Sequence, residues 1–130
     1  MEKHSLTGRL QELGIYNDFY MRRELKPLAS VLKDSEQINC IITGVNEGNR
    51  KLVAITDQRV IIIFSGALAS GEIKVINANA VASYGFTKKL LQSSAVIRTS
   101  KEEFCFTGTQ RSLCDLFNWA MEKIISNKGK

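Results

Sequence analysis

His4 is the only histidine in the 130 residues, so imidazole-based catalysis has one candidate. A Ser or Cys nucleophile needs a base within hydrogen-bond reach. His4 is the fourth residue, where chains are loosely held, and reads as solvated rather than catalytic. Cys40, Cys105 and Cys114 are odd in number and include no Cys-x-x-Cys spacing. That pattern argues against a disulfide framework and against zinc. They read as buried thiols, since free Cys packs as a small hydrophobe.

Three further stretches carry functional groups. "GVNEGNRKL" suggests a phosphate-cradling loop, but Gly44 and Gly48 are one residue too close for that motif. Leu52 also follows Lys51 where a Ser or Thr is required. The stretch reads as a hairpin turn. Glu102-Glu103 is a carboxylate pair, yet neighbouring strand residues point to opposite faces. No catalytic residue, cofactor or metal site is therefore expected. The third stretch is Thr56-Asp57-Gln58-Arg59, between two apolar runs. Asp57 and Thr56 suit a tight turn, where short polar side chains bond nearby backbone N–H groups. Arg59 opens the next run with its head free to meet a carboxylate or carbonyl. Thr56, Asp57 and Arg59 are thus expected to have structural roles.

Regular elements must position these groups. Leu6, Leu10 and Leu13 follow helical spacing, and Gly14 suits the residue just past a helix end. Asn17 or Asp18 can cap a second helix, and Pro27 either kinks it or opens a third. From Asp34 the period changes. About seven short strands fall between residues 36 and 107, at spacings that suggest an antiparallel fold. "SGALASG", 65–71, reads as a flexible connection. At the end Leu113, Leu116, Phe117, Ala120, Met121 and Ile124 form one helical stripe, with Thr109 as N-cap. The expected organisation is a helical extension over 1–33, a β domain over 34–127 and a frayed tail at 128–130.

The longest apolar run, Val60 to Phe64, is far short of the ~20 residues that span a bilayer. The first residues lack the apolar core of a secretory signal. With unpaired cysteines, this points to the cytoplasm, with peripheral membrane attachment as a variant. The net charge of +5 is spread along the chain. Spread charge suits solubility and only weakly favours an anionic partner.

The succession "LKPLASVLKDSEQI", "KLVAITDQRVIIIF", "GEIKVINANAVASYGF" and a closing amphipathic helix resembles the bacterial pleckstrin-homology-like domains, most closely the YokE-like group. The resemblance covers about residues 24–125, and its most specific part is Thr56-x-x-Arg59 between two strands. It implies a mainly β fold: a seven-stranded antiparallel barrel of two nearly orthogonal sheets, capped by the C-terminal helix. It also implies a non-catalytic recognition scaffold, without naming a ligand.

In lipid-binding relatives the first strand–strand loop holds inositol phosphates. Arg50 and Lys51 occupy that place here, but Ile41, Thr43 and Val53 stand where more basic residues are usual. Two readings follow. The first is a non-enzymatic interaction module that binds protein, self or partner, with Tyr16, Phe19, Tyr20 and Met21 as a docking face or as a staple over the barrel. The alternative is a peripheral binder of anionic lipid through Arg50, Lys51, Lys88 and Lys89. Nucleic acid is not expected, as aromatic and basic residues barely interleave. No small-molecule substrate is expected either.

Overall fold

β-branched residues dominate from Ile38 to Phe64 and build three consecutive antiparallel strands. A computed structural model, which describes residues 3–16, 25–64 and 73–127, continues them into a seven-stranded sheet. The strands are β1 (Ile38–Asn46), β2 (Asn49–Thr56), β3 (Arg59–Phe64), β4 (Ile73–Asn77), β5 (Val81–Thr87), β6 (Ser93–Thr99) and β7 (Glu103–Thr109). Their order is β4-β3-β2-β1-β7-β6-β5, with every neighbouring pair antiparallel. This corrects the expected pair of sheets closed into a barrel. The nine-residue β1 pairs with β2 along its length and meets β7 at Val45↔Thr107, so one hydrogen-bonded sheet runs through it. The sheet stays open between its end strands, β4 and β5, which a 3-10 turn at Ala78–Ala80 connects.

Three helices are described: α1 (Lys3–Glu12), α2 (Leu25–Val31) and α3 (Cys114–Ser126). Past the end of α1, Gly14 adopts φ +74°, which a side chain would strain. Gly14 N–H then donates to the Gln11 carbonyl and Ile15 N–H to that of Leu10, which satisfies two orphan carbonyls of the helix end. Pro27 lies within α2. His4 lies on α1.

Thr109 is not the cap of α3. It ends β7, opposite Ser93, and a 3-10 turn at Arg111–Leu113 precedes the helix. The strand ladder holds its backbone beyond the point where the helical stripe suggests a start. The stripe itself is buried at Leu113, Phe117, Ala120, Met121 and Ile124, while Leu116 is partly covered. α3 packs on β1, β2 and β5.

Leu52, Val53, Ala54 and Ile55 are all fully buried. Successive strand residues face opposite sides, so both faces of β2 are covered. Leu6, Leu10, Ile15, Leu25 and Leu28 join the same core from the N-terminal segments. Tyr16 packs partly against it. Phe19, Tyr20, Met21, the loop 65–71 and the tail 128–130 lie outside the described residues.

Gly44 on β1 leaves no room for a side chain beside β7. A Cβ there would stand 2.8 Å from Phe106 Cβ, 3.0 Å from the Thr107 carbonyl oxygen and 3.1 Å from Thr109 Cγ2. Two of these neighbours are atoms that move only with the backbone. Gly44→Ala is expected to cost about 1–3 kcal/mol through overpacking. Thermal melts check this, and an unchanged midpoint would mean that the strands part easily.

Candidate functional site

The stretch richest in chemistry spends its polar groups on one another. Glu36, on the link between α2 and β1, is only 1% exposed. Arg59 Nε donates to Glu36 Oε2 at 2.7 Å and Nη2 donates to Oε1 at 2.8 Å. Nη2 also donates to the Val31 carbonyl at 2.6 Å. The Thr56 hydroxyl donates to Glu36 Oε2 at 2.6 Å and accepts from the N–H groups of Gln58 and Arg59, each at 3.0 Å. Asp57 Oδ1 accepts from Gln37 N–H at 3.0 Å. Burial alone would raise the Glu36 carboxyl. Hydrogen bonds from Arg59, Thr56 and Lys33 N–H, with the Arg59 charge, outweigh it and hold the carboxyl below its ordinary value. The Glu36 hydrogen bonds in turn raise Arg59, against the effect of its burial. The result is a pin joining the end of α2 to the β2–β3 turn.

"GVNEGNRKL" is a two-residue hairpin. Asn46 pairs with Asn49, and Glu47 and Gly48 between them have φ +52° and +79°. Positive φ at both central residues matches the right-handed twist of the flanking strands. Lys51 Nζ donates to Asn46 Oδ1 at 2.7 Å, and Asn46 Nδ2 donates to the Cys105 carbonyl at 2.9 Å. Lys51 is thus engaged at the hairpin base, with Arg50 exposed beside it.

Lys88 and Lys89 are exposed between β5 and β6, near Gly108 and Arg111. Lys51 lines a cleft with Glu102, at the far end of β7. Lys51 and the pair Lys88 and Lys89 thus line different hollows, and no described hollow gathers both basic pairs.

Other candidates also separate. Glu102 bridges to Lys74 at 3.2 Å and Glu103 to Arg98 at 3.2 Å, all four side chains being about half exposed or more. All three cysteines are free, with Cys40 and Cys114 buried. Burial pushes the Cys40 thiol far above its ordinary value, so it stays protonated. Cys105, read from sequence as buried, is exposed, because alternation turns Phe104 and Phe106 inward instead. Among the described residues no three His, Cys, Asp or Glu side chains gather at metal-binding range.

What remains is a cleft of about 560 Å³ beside the open edge. Ile62, Phe64, Ile73, Val75 and Phe104 give it apolar walls, and Lys51, Lys74, Glu47 and Glu102 stand at its rim. Lys74 Nζ lies 5.2 Å from the Phe104 ring centre, a cation–π contact that draws β4 toward β7. Val75 is 39% exposed, whereas Ile76 is buried. The strand is thus turned so that an apolar side chain is left at the cleft. Sequence reading passes over Val75, because Ile73-x-Val75 looks like an ordinary inward face.

The bacterial PH domain family matches residues 32–118. The chain belongs to this family. The match begins at the end of α2, so α1 precedes the PH-domain core. The fold is similar to that of the pleckstrin homology domain from Shewanella amazonensis SB2B, with a TM-score of 0.52 at 12% identity over 81% of this chain and 97% of that one. A DUF1696-family protein with a pleckstrin-homology domain from Shewanella loihica PV-4 is also similar, at 16% identity and a TM-score of 0.45 over 78% of this chain and 89% of that one. No curated protein matches the chain. PH domains are a common interaction scaffold, generally without catalysis. Among the described residues of this PH domain, no helix is long and apolar enough to cross a membrane.

Proposed function

We propose that this PH domain is a non-catalytic interaction module that takes an extended protein segment along the edge of β4. The observation that carries the reading is Val75, left exposed on an end strand beside a cleft of mixed apolar and charged lining. An end strand has backbone N–H and C=O groups without a neighbour on one side, and an added strand satisfies them. Main-chain hydrogen bonds supply affinity, and Phe64, Ile73, Val75 and Phe104 supply a surface for alternate side chains.

Lys74 on the edge, bridged to Glu102, discourages indiscriminate pairing. That exposed bridge costs a true partner little to displace. The free cysteines favour a reducing compartment, which we take to be the cytoplasm. Within the family we read the chain as YokE-like, a reading that the Thr56-x-x-Arg59 junction supports.

A benzophenone side chain at position 75, activated by light in the native cell, tests the reading. The expected result is a covalent adduct with a protein segment whose synthetic peptide then shifts the β4 amide resonances of the purified domain. A peptide that perturbs only other strands, or no adduct above a surface control at position 101, would defeat it.

A further inference from the structure

We infer that the β5–β6 loop is a foot that stands on anionic phospholipid, with Leu90 and Leu91 entering the bilayer interface between Lys88, Lys89 and Arg111. Leu90 and Leu91 are 90% and 96% exposed, far beyond any other large apolar residue described. Soluble folds scatter single exposed leucines, but two adjacent ones at a loop apex present a continuous apolar tip.

The loop is firmly seated: Thr87 pairs with Ser94, and Ser93 with Thr109. Lys88 and Lys89 precede the tip directly. Arg111 lines one hollow with Lys89, Leu90 and Leu91, and another with Lys88 and Asp115. Three cations against one carboxylate leave the surroundings positive.

The first hollow, about 270 Å³, is also lined by Thr109. Its hydroxyl is buried and has no hydrogen-bond partner among the described residues. That hydroxyl is too buried to reach a headgroup, and Lys89 and Arg111 are the donors whose hydrogens a phosphate oxygen accepts.

A bilayer fits this shape better than a second copy does. A stable protein interface buries about 800 Å² per partner, and two leucines on a narrow tip offer only a fraction of that. An interfacial contact needs only depth for the apolar tip and cations at headgroup level. The foot excludes Arg50 and Lys51, and it is separate from the β4 cleft. Failure of one surface leaves the other intact.

Cosedimentation of the full chain with phosphatidylcholine vesicles, with and without phosphatidylglycerol, is the test. Binding is expected only to the anionic vesicles, strongest at low salt and weakening as the screening length falls to about 10 Å at 0.1 M. L90S/L91S should lower the partition coefficient about tenfold or more with an unchanged melting temperature. K88A/K89A should lower it and flatten its salt dependence. Three results would overturn the inference: no binding at low salt, binding that the leucine changes leave intact, or a dimer seen by light scattering that those changes dissolve.

Discussion

Arg59→Ala melts about 10–15 °C below the parent at pH 7, because it strands the buried Glu36 carboxylate without its counter-charge. Removing one partner of a buried, hydrogen-bonded pair costs about 3–5 kcal/mol. For a chain of this size each kcal/mol moves the midpoint by about 3 °C. Glu36 is 1% exposed and accepts from Arg59 at two oxygens, so little solvent is at hand to compensate.

Arg59→Lys recovers only part of the loss. An ammonium cannot present the planar fork that reaches both Glu36 oxygens and the Val31 carbonyl.

The pH dependence follows from Glu36, whose folded pKa lies below its ordinary value. Its stabilising contribution is complete above the unfolded pKa of about 4.3 and is lost as pH falls through the folded value. In Arg59→Ala the Thr56 and Lys33 N–H hydrogen bonds remain but the Arg59 hydrogen bonds and charge no longer oppose burial, so the carboxyl lies higher than in the parent and the variant suffers most near neutrality. The gap between parent and variant therefore narrows from pH 7 to pH 3. Glu36→Gln should remove this group's part of the acid sensitivity. Melting curves at pH 7, 5 and 3 decide the matter. A gap under 2 °C at pH 7 with lost partner binding would make Arg59 a recognition residue instead.

Phe117→Ala is the second large effect. Phe117 is fully buried on α3, with the Tyr84 ring 6.1 Å away at 74° and the Phe86 ring 5.6 Å away. These contacts join the helix to β5, the end strand on the side away from the cleft. Truncation leaves a cavity and costs about 3–5 kcal/mol, read as a lower urea midpoint. Phe117→Leu keeps most of the volume and should cost less than about 1.5 kcal/mol. Tyr84 OH donates to Glu122 Oε2 at 2.8 Å, a second tie between β5 and α3. It is exposed and cannot replace the core contact. Equal losses for the two variants would show that α3 does not depend on this ring for its seat.

The strands and closing helix were legible because each is specified locally. β-branched runs separated by Asn-Glu-Gly-Asn and by Asp-Gln leave few other arrangements. Leu113 to Ile124 repeat with the helical period. Gly14 ends α1 for the same local reason, since its positive φ suits the residue past a helix end. The cap at Thr109 misled because its composition signal is real but the β6–β7 ladder claims its backbone first. The buried reading of Cys105 failed because residue type says less than the alternation of its neighbours.

The sequence by itself determined the seven strands, their turns and the apolar stripe of α3. Those properties depend on neighbours within a few residues. Only the tertiary structure decided that Arg59 meets Glu36, 23 positions away, and that one open sheet runs through β1. It alone left Val75, Leu90 and Leu91 uncovered and set Lys51 in a different hollow from Lys88 and Lys89. Burial and pairing across the chain are set by how the strands bend and pack together, and no local pattern records that.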